Sequence, residues 1–157
     1  MNKKIIQIVV AVLFCQMAGI IGTIFTVSAI PSWYNFLNKP FFNPPSWLFG
    51  PVWTILYTLM GITFYMVWSE KTEKVKKQWA LGLFFVQLFL NAIWSPIFFG
   101  LKNPLAALIV IVLMWVAILL TILNFYKISK TAAVLLIPYL GWVSFATVLN
   151  FYIWQLN

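Results

Sequence analysis

The 157-residue chain contains no histidine, no aspartate and no arginine, and it has two glutamates and one cysteine. Without histidine or a cluster of acidic residues, it lacks the side chains that usually carry out acid–base catalysis or bind metals. The lone cysteine, Cys15, cannot form a disulfide within the chain. These absences argue against metal-dependent, hydrolytic and disulfide-stabilised classes, and we expect no metal and no required cofactor.

Charge is also scarce. Only 8% of the residues are charged and 64% are hydrophobic, whereas about a quarter of the residues in a soluble domain are charged. Five uncharged runs lie between short charged clusters, and each exceeds the roughly 20 residues that a helix needs to cross a bilayer core. The sequence therefore predicts an all-α membrane protein with one domain, residues 1–157. The five transmembrane helices are predicted at approximately 5–27, 46–69, 78–101, 103–126 and 131–155.

The lysines are distributed unequally about these helices. Eight lie before the first helix and in the loops after the second and fourth, and only Lys39 and Lys102 lie on the other side. Because lysine and arginine collect on the cytoplasmic side, we expect the amino terminus in the cytoplasm and the carboxyl terminus outside. This topology and the attraction to an anionic lipid bilayer explain the net charge of +8, so no nucleic-acid partner is expected.

The five predicted membrane-spanning runs contain no Asp, Glu, Lys, Arg or His. Proton pumps, voltage sensors and ion-coupled carriers usually need ionisable groups within the membrane. The sequence therefore disfavours active ion-coupled transport.

The connection at residues 28–46, "SAIPSWYNFLNKPFFNPPS", is long and rich in rings and prolines. One interpretation places its aromatic side chains at the membrane interface, where amphipathic rings are favoured. The other is a lid over the outer mouth of the bundle, stiffened by Pro40, Pro44 and Pro45. The two interpretations are compatible.

Neutral polar and aromatic residues recur at every fourth position in three helices, which places each set on one helix face. At about 1.5 Å per residue, the three sets reach overlapping depths in the outer half of the bundle. We expect them to line a cavity suited to a flat, largely apolar ligand. The sets are Trp53, Tyr57 and Gly61; Gln87, Asn91 and Ser95; and Pro138, Trp142, Ala146 and Asn150.

Helix packing is the alternative explanation of this spacing, because membrane helices pack through small and neutral polar residues. We interpret the small-residue ridge of the first helix in this way. Trp53, Trp94 and Trp142 are too large to be typical of such contacts, and they favour a cavity. The ridge comprises Ala11, Cys15, Gly19 and Thr23, beside Ala18, Gly22 and Thr26.

Three segments closely resemble the translocator protein family, whose bacterial members are called tryptophan-rich sensory proteins and whose animal members were first known as the peripheral-type benzodiazepine receptor. They are "WYNFLNKPFFNPPSWLFGPVWTILYTLMG" (33–61), "QLFLNAIWSPIFFG" (87–100) and "PYLGWVSFATVLNFYIW" (138–154). The resemblance covers nearly the whole chain, and the family fold is a bundle of five transmembrane helices.

The resemblance implies a homodimer that binds porphyrins such as protoporphyrin IX, and also isoquinoline carboxamide and benzodiazepine-type drugs, in a pocket under the first loop. It implies a role in tetrapyrrole sensing, transport or stress regulation. The family motifs match Trp53 and Tyr57, Asn91 and Trp94, and Trp142 and Ala146. The candidate ligand-binding residues are Trp33, Trp47, Trp53, Tyr57, Asn91, Trp94, Ser95, Trp142, Ala146 and Leu149.

One motif of the animal members is absent. Their proposed cholesterol consensus requires a tyrosine followed within a few residues by lysine or arginine, and no basic residue follows Tyr152. The sequence therefore does not favour cholesterol as a partner. It favours a porphyrin-handling protein of a bacterial cell membrane.

One enzymatic route stays open. A porphyrin excited by light beside oxidisable indoles could be degraded by radical chemistry, as has been suggested for members of this family. Trp53 and Trp142 are the candidate catalytic residues for this reaction. The bound porphyrin would then supply the chemistry, and the protein would position it.

Overall fold

The computed structural model describes residues 2–157 and shows an all-α bundle, with no strand among these residues. Helices α5 and α6 are separated only by Leu136 and together form one span, so five helical segments are long and apolar enough to cross a membrane. This confirms the predicted five-helix bundle. The helices are α1 (Lys3–Ser32), α2 (Phe49–Ser69), α3 (Lys74–Ser95), α4 (Pro104–Tyr126), α5 (Lys130–Leu135) and α6 (Ile137–Leu156).

Helix α1 is longer than predicted at both ends. Asn2 caps its amino end, because the Asn2 side chain accepts a hydrogen bond from the Lys4 backbone N–H at 3.2 Å. The carboxyl end continues past Ser28 to Ser32. Pro31 lies in the last turn, so the bond to the Val27 carbonyl that its missing N–H cannot make weakens only the end of the helix. The aromatic loop is correspondingly shorter, at residues 33–48.

Prolines interrupt two of the predicted helices. A five-residue π-helical turn, Pro96–Gly100, follows α3 and is closed by the Leu101 N–H, which donates to the Pro96 carbonyl at 2.9 Å. The last predicted helix, 131–155, is broken at Leu136 because Pro138 has no N–H and its ring excludes a regular preceding turn. Both irregularities lie close in the chain to the polar and aromatic residues of the site described below.

The backbones of α1 and α2 approach closely where the two helices cross at Gly61. A Cβ added to Gly61 would lie 2.4 Å from the Val12 Cα, so only glycine fits at this crossing. Elsewhere in the core, Phe84 and Phe125 stack with their ring centroids 5.9 Å apart. We call the end formed by residues 33–48, 101–103 and Asn157 the loop end.

The first half of the small-residue ridge of α1 faces the inside of the bundle, where Ala11, Cys15 and Ala18 are buried, whereas Thr23 farther along the ridge is exposed. The first half of the ridge therefore packs helices within one chain, as interpreted from the sequence. These three buried residues are not available to a second chain. The homodimer stays a prediction that rests on the family resemblance.

Candidate functional site

A cavity of about 400 Å³ lies in the loop-end half of the bundle, lined by α1, α2, α3, α4 and α6, and it is partly open at the exposed α1 residues Ile20 and Val27. Eight of the ten candidate ligand-binding residues line it, because the fourfold spacing on α2, α3 and α6 turns one face of each helix toward the same space. These eight residues are Trp53, Tyr57, Asn91, Trp94, Ser95, Trp142, Ala146 and Leu149.

Aromatic contacts fix the orientation of two cavity tryptophans. Trp53 stacks on Tyr57, with ring centroids 5.5 Å apart and an interplanar angle of 26°. Trp94 stacks on Phe98 at 5.0 Å and 22°. Stacked rings that are held by their neighbours present flat apolar surfaces without further ordering.

A chain of hydrogen bonds runs from the cavity wall into the core. The Tyr57 hydroxyl donates to Asn91 Oδ1 at 2.6 Å, and Asn91 Nδ2 donates to the Tyr139 hydroxyl at 2.9 Å. The Tyr139 hydroxyl donates in turn to Gln87 Oε1 at 2.8 Å. All four side chains are buried, and these bonds use the single O–H donor of Tyr57 and one of the two N–H donors of Asn91.

The indole of Trp94 is also paired. Its Nε1 donates to Asn150 Oδ1 at 3.2 Å, and Asn150 Nδ2 donates to the Pro104 carbonyl at 2.8 Å. The Trp142 Nε1, by contrast, is the one buried side-chain nitrogen or oxygen between residues 2 and 157 that has no hydrogen-bond partner. A buried donor without an acceptor costs roughly 1 to 3 kcal/mol. Because this atom has no accessible surface, a ligand in the cavity reaches it only if the indole side chain moves, and a bond formed in that way would remove the cost.

The loop at residues 33–48 forms the roof of the cavity. Tyr34, which lines the cavity, is 3% exposed and packs against Phe98 and Phe99. Burial raises the pKa of Tyr34 to about 12, against the opposing effect of its bond to Asn43. Its hydroxyl donates to Asn43 Oδ1 at 2.8 Å.

Two asparagines fasten this roof to the end of α6. The Asn38 backbone N–H donates to Asn157 Oδ1 at 3.0 Å, and Asn157 Nδ2 donates back to the Asn38 carbonyl at 2.9 Å. Asn38 Nδ2 also donates to the Leu156 carbonyl at 3.2 Å. The paired bonds close the roof without any covalent link.

Trp33 and Trp47, the other two candidates, lie outside the cavity. Trp33 follows the end of α1 and packs edge-on against Phe98 and Phe99, with centroid distances of 5.7 and 6.5 Å. Trp47 lies in a short 3-10 turn before α2 and is 71% exposed. The cavity geometry gives no support to ligand contact by these two residues.

The second half of the α1 ridge is a part of the cavity that the sequence interpretation missed. Gly19, Gly22, Thr23 and Thr26 line the cavity. A Cβ on Gly19 would lie 2.7 Å from the Tyr57 ring, so glycine provides the space that this ring occupies. The available signal was the change along the ridge from alanine and cysteine to glycine and threonine.

The cavity has the chemistry of a binding site. Its wall carries aromatic rings, neutral polar groups and no charged side chain among the residues that line it. Within residues 2–157, no group of three or more His, Cys, Asp or Glu side chains could hold a metal ion. Shape, stacking and, once the indole moves, the Trp142 donor are the means by which this site can select a ligand.

Comparison with known proteins gives a consistent result. The profile of the TspO/MBR family matches residues 11–155. The chain is 46% identical over 157 residues to a tryptophan-rich protein TspO of Archaeoglobus fulgidus, covering 98% of this chain and 99% of the relative. It is 46% identical over 157 residues to the protein of the same name from Chlorobaculum tepidum, covering 100% and 99%. It is 44% identical over 128 residues to a translocator protein of Homo sapiens, covering 80% and 75%.

Proposed function

Because the chain belongs to the TspO/MBR family and is an integral membrane protein, we propose that its cavity binds porphyrins such as protoporphyrin IX. Isoquinoline carboxamides and benzodiazepine-type compounds would bind in the same space. The physiological role is tetrapyrrole sensing, passive transport or stress regulation. The names of the translocator relatives agree with a carrier role.

The unpaired Trp142 indole carries this proposal. Every other buried side-chain nitrogen or oxygen in residues 2–157 has a partner or is not fully enclosed, whereas Trp142 Nε1 has none. A porphyrin offers carboxylate oxygens and an isoquinoline carboxamide offers a carbonyl oxygen, and either is a suitable acceptor. A hydrogen bond to a charged acceptor contributes roughly 1.5 to 3 kcal/mol.

The size of the cavity and its rings suit an aromatic small-molecule ligand. Its volume of about 400 Å³ lies within the range of roughly 300 to 1,000 Å³ that is typical of small-molecule sites. Trp53 and Trp94 are held in place by Tyr57 and Phe98. An aromatic macrocycle that enters this space gains stacking contacts without ordering these side chains again.

We propose that the protein lies in a bacterial cell membrane with its amino terminus in the cytoplasm, as the lysine distribution favours. A homodimer is proposed from the resemblance to the family. The mass of the purified protein from light scattering, corrected for bound detergent, tests this: a value for one chain at every concentration would contradict the dimer.

The binding proposal is tested by titrating detergent-solubilised protein with protoporphyrin IX in the dark and following tryptophan fluorescence. We expect saturable quenching for the wild type, and affinity about tenfold weaker for Trp142→Phe, which keeps a ring but removes the donor. The matched control is Trp68→Phe. Trp68 is half-exposed at the opposite end of α2, so this change should leave affinity unaltered.

Thermal unfolding separates binding from packing. If Trp142 serves only to pack the core, Trp142→Phe should lower the melting temperature. If the indole N–H serves to bind a ligand, Trp142→Phe removes a donor that is unpaired in the unliganded protein. The unliganded variant should then be as stable as the wild type. Equal affinity of Trp142→Phe and wild type for protoporphyrin IX would contradict the proposal.

A light-dependent degradation of porphyrin is the second candidate function. The observation in its favour is that Trp53 and Trp142, the two candidate photochemical residues, line the same cavity. Illumination of the complex in air, with dioxygen as the oxidant, tests it through the Soret band of the porphyrin. Bleaching faster than that of free porphyrin supports degradation, and equal rates support binding alone.

A further inference from the structure

A second hollow, of about 620 Å³, lies on the outer surface of the bundle at the loop end. It runs between the last turns of α1 and the segment that follows α3. Ile24 and Leu101 line it and are 67% and 72% exposed. Because these apolar side chains are exposed at the outside of a membrane-spanning bundle, this groove opens toward lipid. Phe99 lines both hollows and forms part of the wall between them.

The groove has one polar end, formed by Lys102, Ser28 and Ser32. Lys102 lies between the span that ends at Gly100 and the span that begins at Pro104, which places it at headgroup depth. The Ser32 hydroxyl donates to the Ser28 carbonyl at 2.6 Å. The Ser28 hydroxyl makes no hydrogen bond to the described residues and can donate to a ligand.

The ammonium group of Lys102 has no partner within residues 2–157. The one ion pair in that part of the chain joins Lys76 to Glu73 at 3.2 Å, at the opposite end of the bundle. Lys39, the other lysine at the loop end, is different. Its Nζ donates to the carbonyls of Asn35 and Leu37 at 3.2 and 3.0 Å.

The backbone conformation of Lys102 is also unusual. Its φ is 51°, and it is the one non-glycine residue with positive φ in the described chain. Glycine or asparagine adopts this left-handed conformation more readily than lysine does. Lysine at this position therefore adds a positive charge where glycine or asparagine would be less strained.

We propose that this groove is a binding site for an anionic phospholipid of the surrounding bilayer. The phosphate lies at Lys102 and the Ser28 hydroxyl, and an acyl chain follows Ile24 and Phe25 down α1. Ile24 lies about 12 Å from Ser32 along the helix axis, so the polar and apolar parts of the groove follow the order of headgroup and chain. No acidic side chain lies in the groove wall to receive a choline or ethanolamine group, which favours a headgroup with net negative charge.

Native mass spectrometry tests this site on the full chain. The protein is incubated in detergent with equal amounts of phosphatidylglycerol and phosphatidylcholine that carry the same acyl chains, and bound lipids are counted. The wild type should retain phosphatidylglycerol in preference. Lys102→Asn should bind it about fivefold more weakly, the effect of one lysine at a membrane surface, with no loss of thermal stability because asparagine tolerates the backbone conformation.

The matched control is Lys39→Asn, which removes the same charge at the same end of the bundle and should leave the lipid preference unchanged. Equal losses in both variants, or no loss in Lys102→Asn, would overturn the proposal.

Cross-linking supplies a second readout. Phosphatidylglycerol with a photoreactive group in its acyl chain should label peptides from residues 24–32 and 96–102. Labelling spread evenly over the lipid-facing surface would also overturn the site. Porphyrin affinity should be the same in Lys102→Asn and the wild type, so this proposal and the function of the cavity succeed or fail separately.

Discussion

The Tyr57 hydroxyl donates a hydrogen bond to Asn91 Oδ1 over 2.6 Å and so joins α2 to α3 at the cavity wall. Asn91 Nδ2 donates to the Tyr139 hydroxyl at 2.9 Å, which adds α6 to the same network. Trp53 stacks on Tyr57 and meets the Tyr139 ring edge-on at 6.2 Å. The position of one cavity tryptophan therefore depends on a hydrogen-bond network that connects three helices.

Tyr57→Phe should lower the melting temperature of the detergent-solubilised protein. The change removes one interhelical hydrogen bond and leaves a buried Asn91 acceptor unpaired, at a cost of roughly 1 kcal/mol. Tyr65→Phe is the matched control on the same helix, because the Tyr65 ring is buried and its hydroxyl bonds to none of the described residues. Equal melting temperatures for the two variants would show that the network does not stabilise the bundle.

Gly61→Ala should destabilise the protein, although alanine is a better helix former than glycine. The added Cβ would lie 2.4 Å from the Val12 Cα, and relief of such overpacking typically costs about 1 to 3 kcal/mol. Gly82→Ala is the control, since a Cβ there meets no atom within 4 Å. It should be neutral or stabilising in the same thermal assay. A Gly61→Ala protein as stable as Gly82→Ala would contradict the tight crossing of α1 and α2.

The roof of the cavity should become more ordered when a ligand binds. Tyr34 and Ser46 line the cavity, so a ligand in the cavity would add contacts beneath residues 33–48 and favour the closed loop. Amide hydrogen exchange in this segment should slow at saturating isoquinoline carboxamide. Unchanged exchange at saturation would show that the loop acts only as an interfacial anchor.

Asn157→Ala should loosen the same roof in the absence of ligand. The variant loses both hydrogen bonds between the Asn157 side chain and Asn38. We expect faster hydrogen exchange in residues 33–48 and faster ligand dissociation. Asn124→Ala is the control, because Asn124 Nδ2 donates only to the carbonyl of Leu120 on its own helix. If both variants exchanged at the wild-type rate, the pair of asparagines would not hold the loop.

The sequence was sufficient to predict the number of spans and one face of three helices. A long apolar run favours the bilayer over water regardless of which helices it later contacts. Hydropathy alone therefore predicted the five segments. Trp53 and Tyr57, or Trp142 and Ala146, share a face because a helix repeats every 3.6 residues. These regularities depend only on residues close together in the sequence, so they do not require knowledge of how the helices pack.

The remaining features depend on how the helices are turned toward each other. Spacing gives a helix face but not the helix it faces, so no signal in the sequence indicated that Tyr139 pairs with Asn91. The change along the α1 ridge to glycine and threonine was visible, but it did not identify Tyr57 as the neighbour of Gly19. Trp33 shows the same limitation, because its ring packs behind the cavity wall on Phe98.

The central claim is that a ligand in the cavity accepts a hydrogen bond from the Trp142 indole, and indole N–H resonances test it most directly. Protein labelled with ¹⁵N-tryptophan is titrated in the dark with protoporphyrin IX, and the Trp142 signal is assigned by its absence in Trp142→Phe. We predict that this signal moves downfield on saturation, as expected for a newly formed hydrogen bond, while the Trp68 signal stays in place. A Trp142 signal that does not move while the porphyrin binds, or one that moves no more than that of Trp68, would contradict the account.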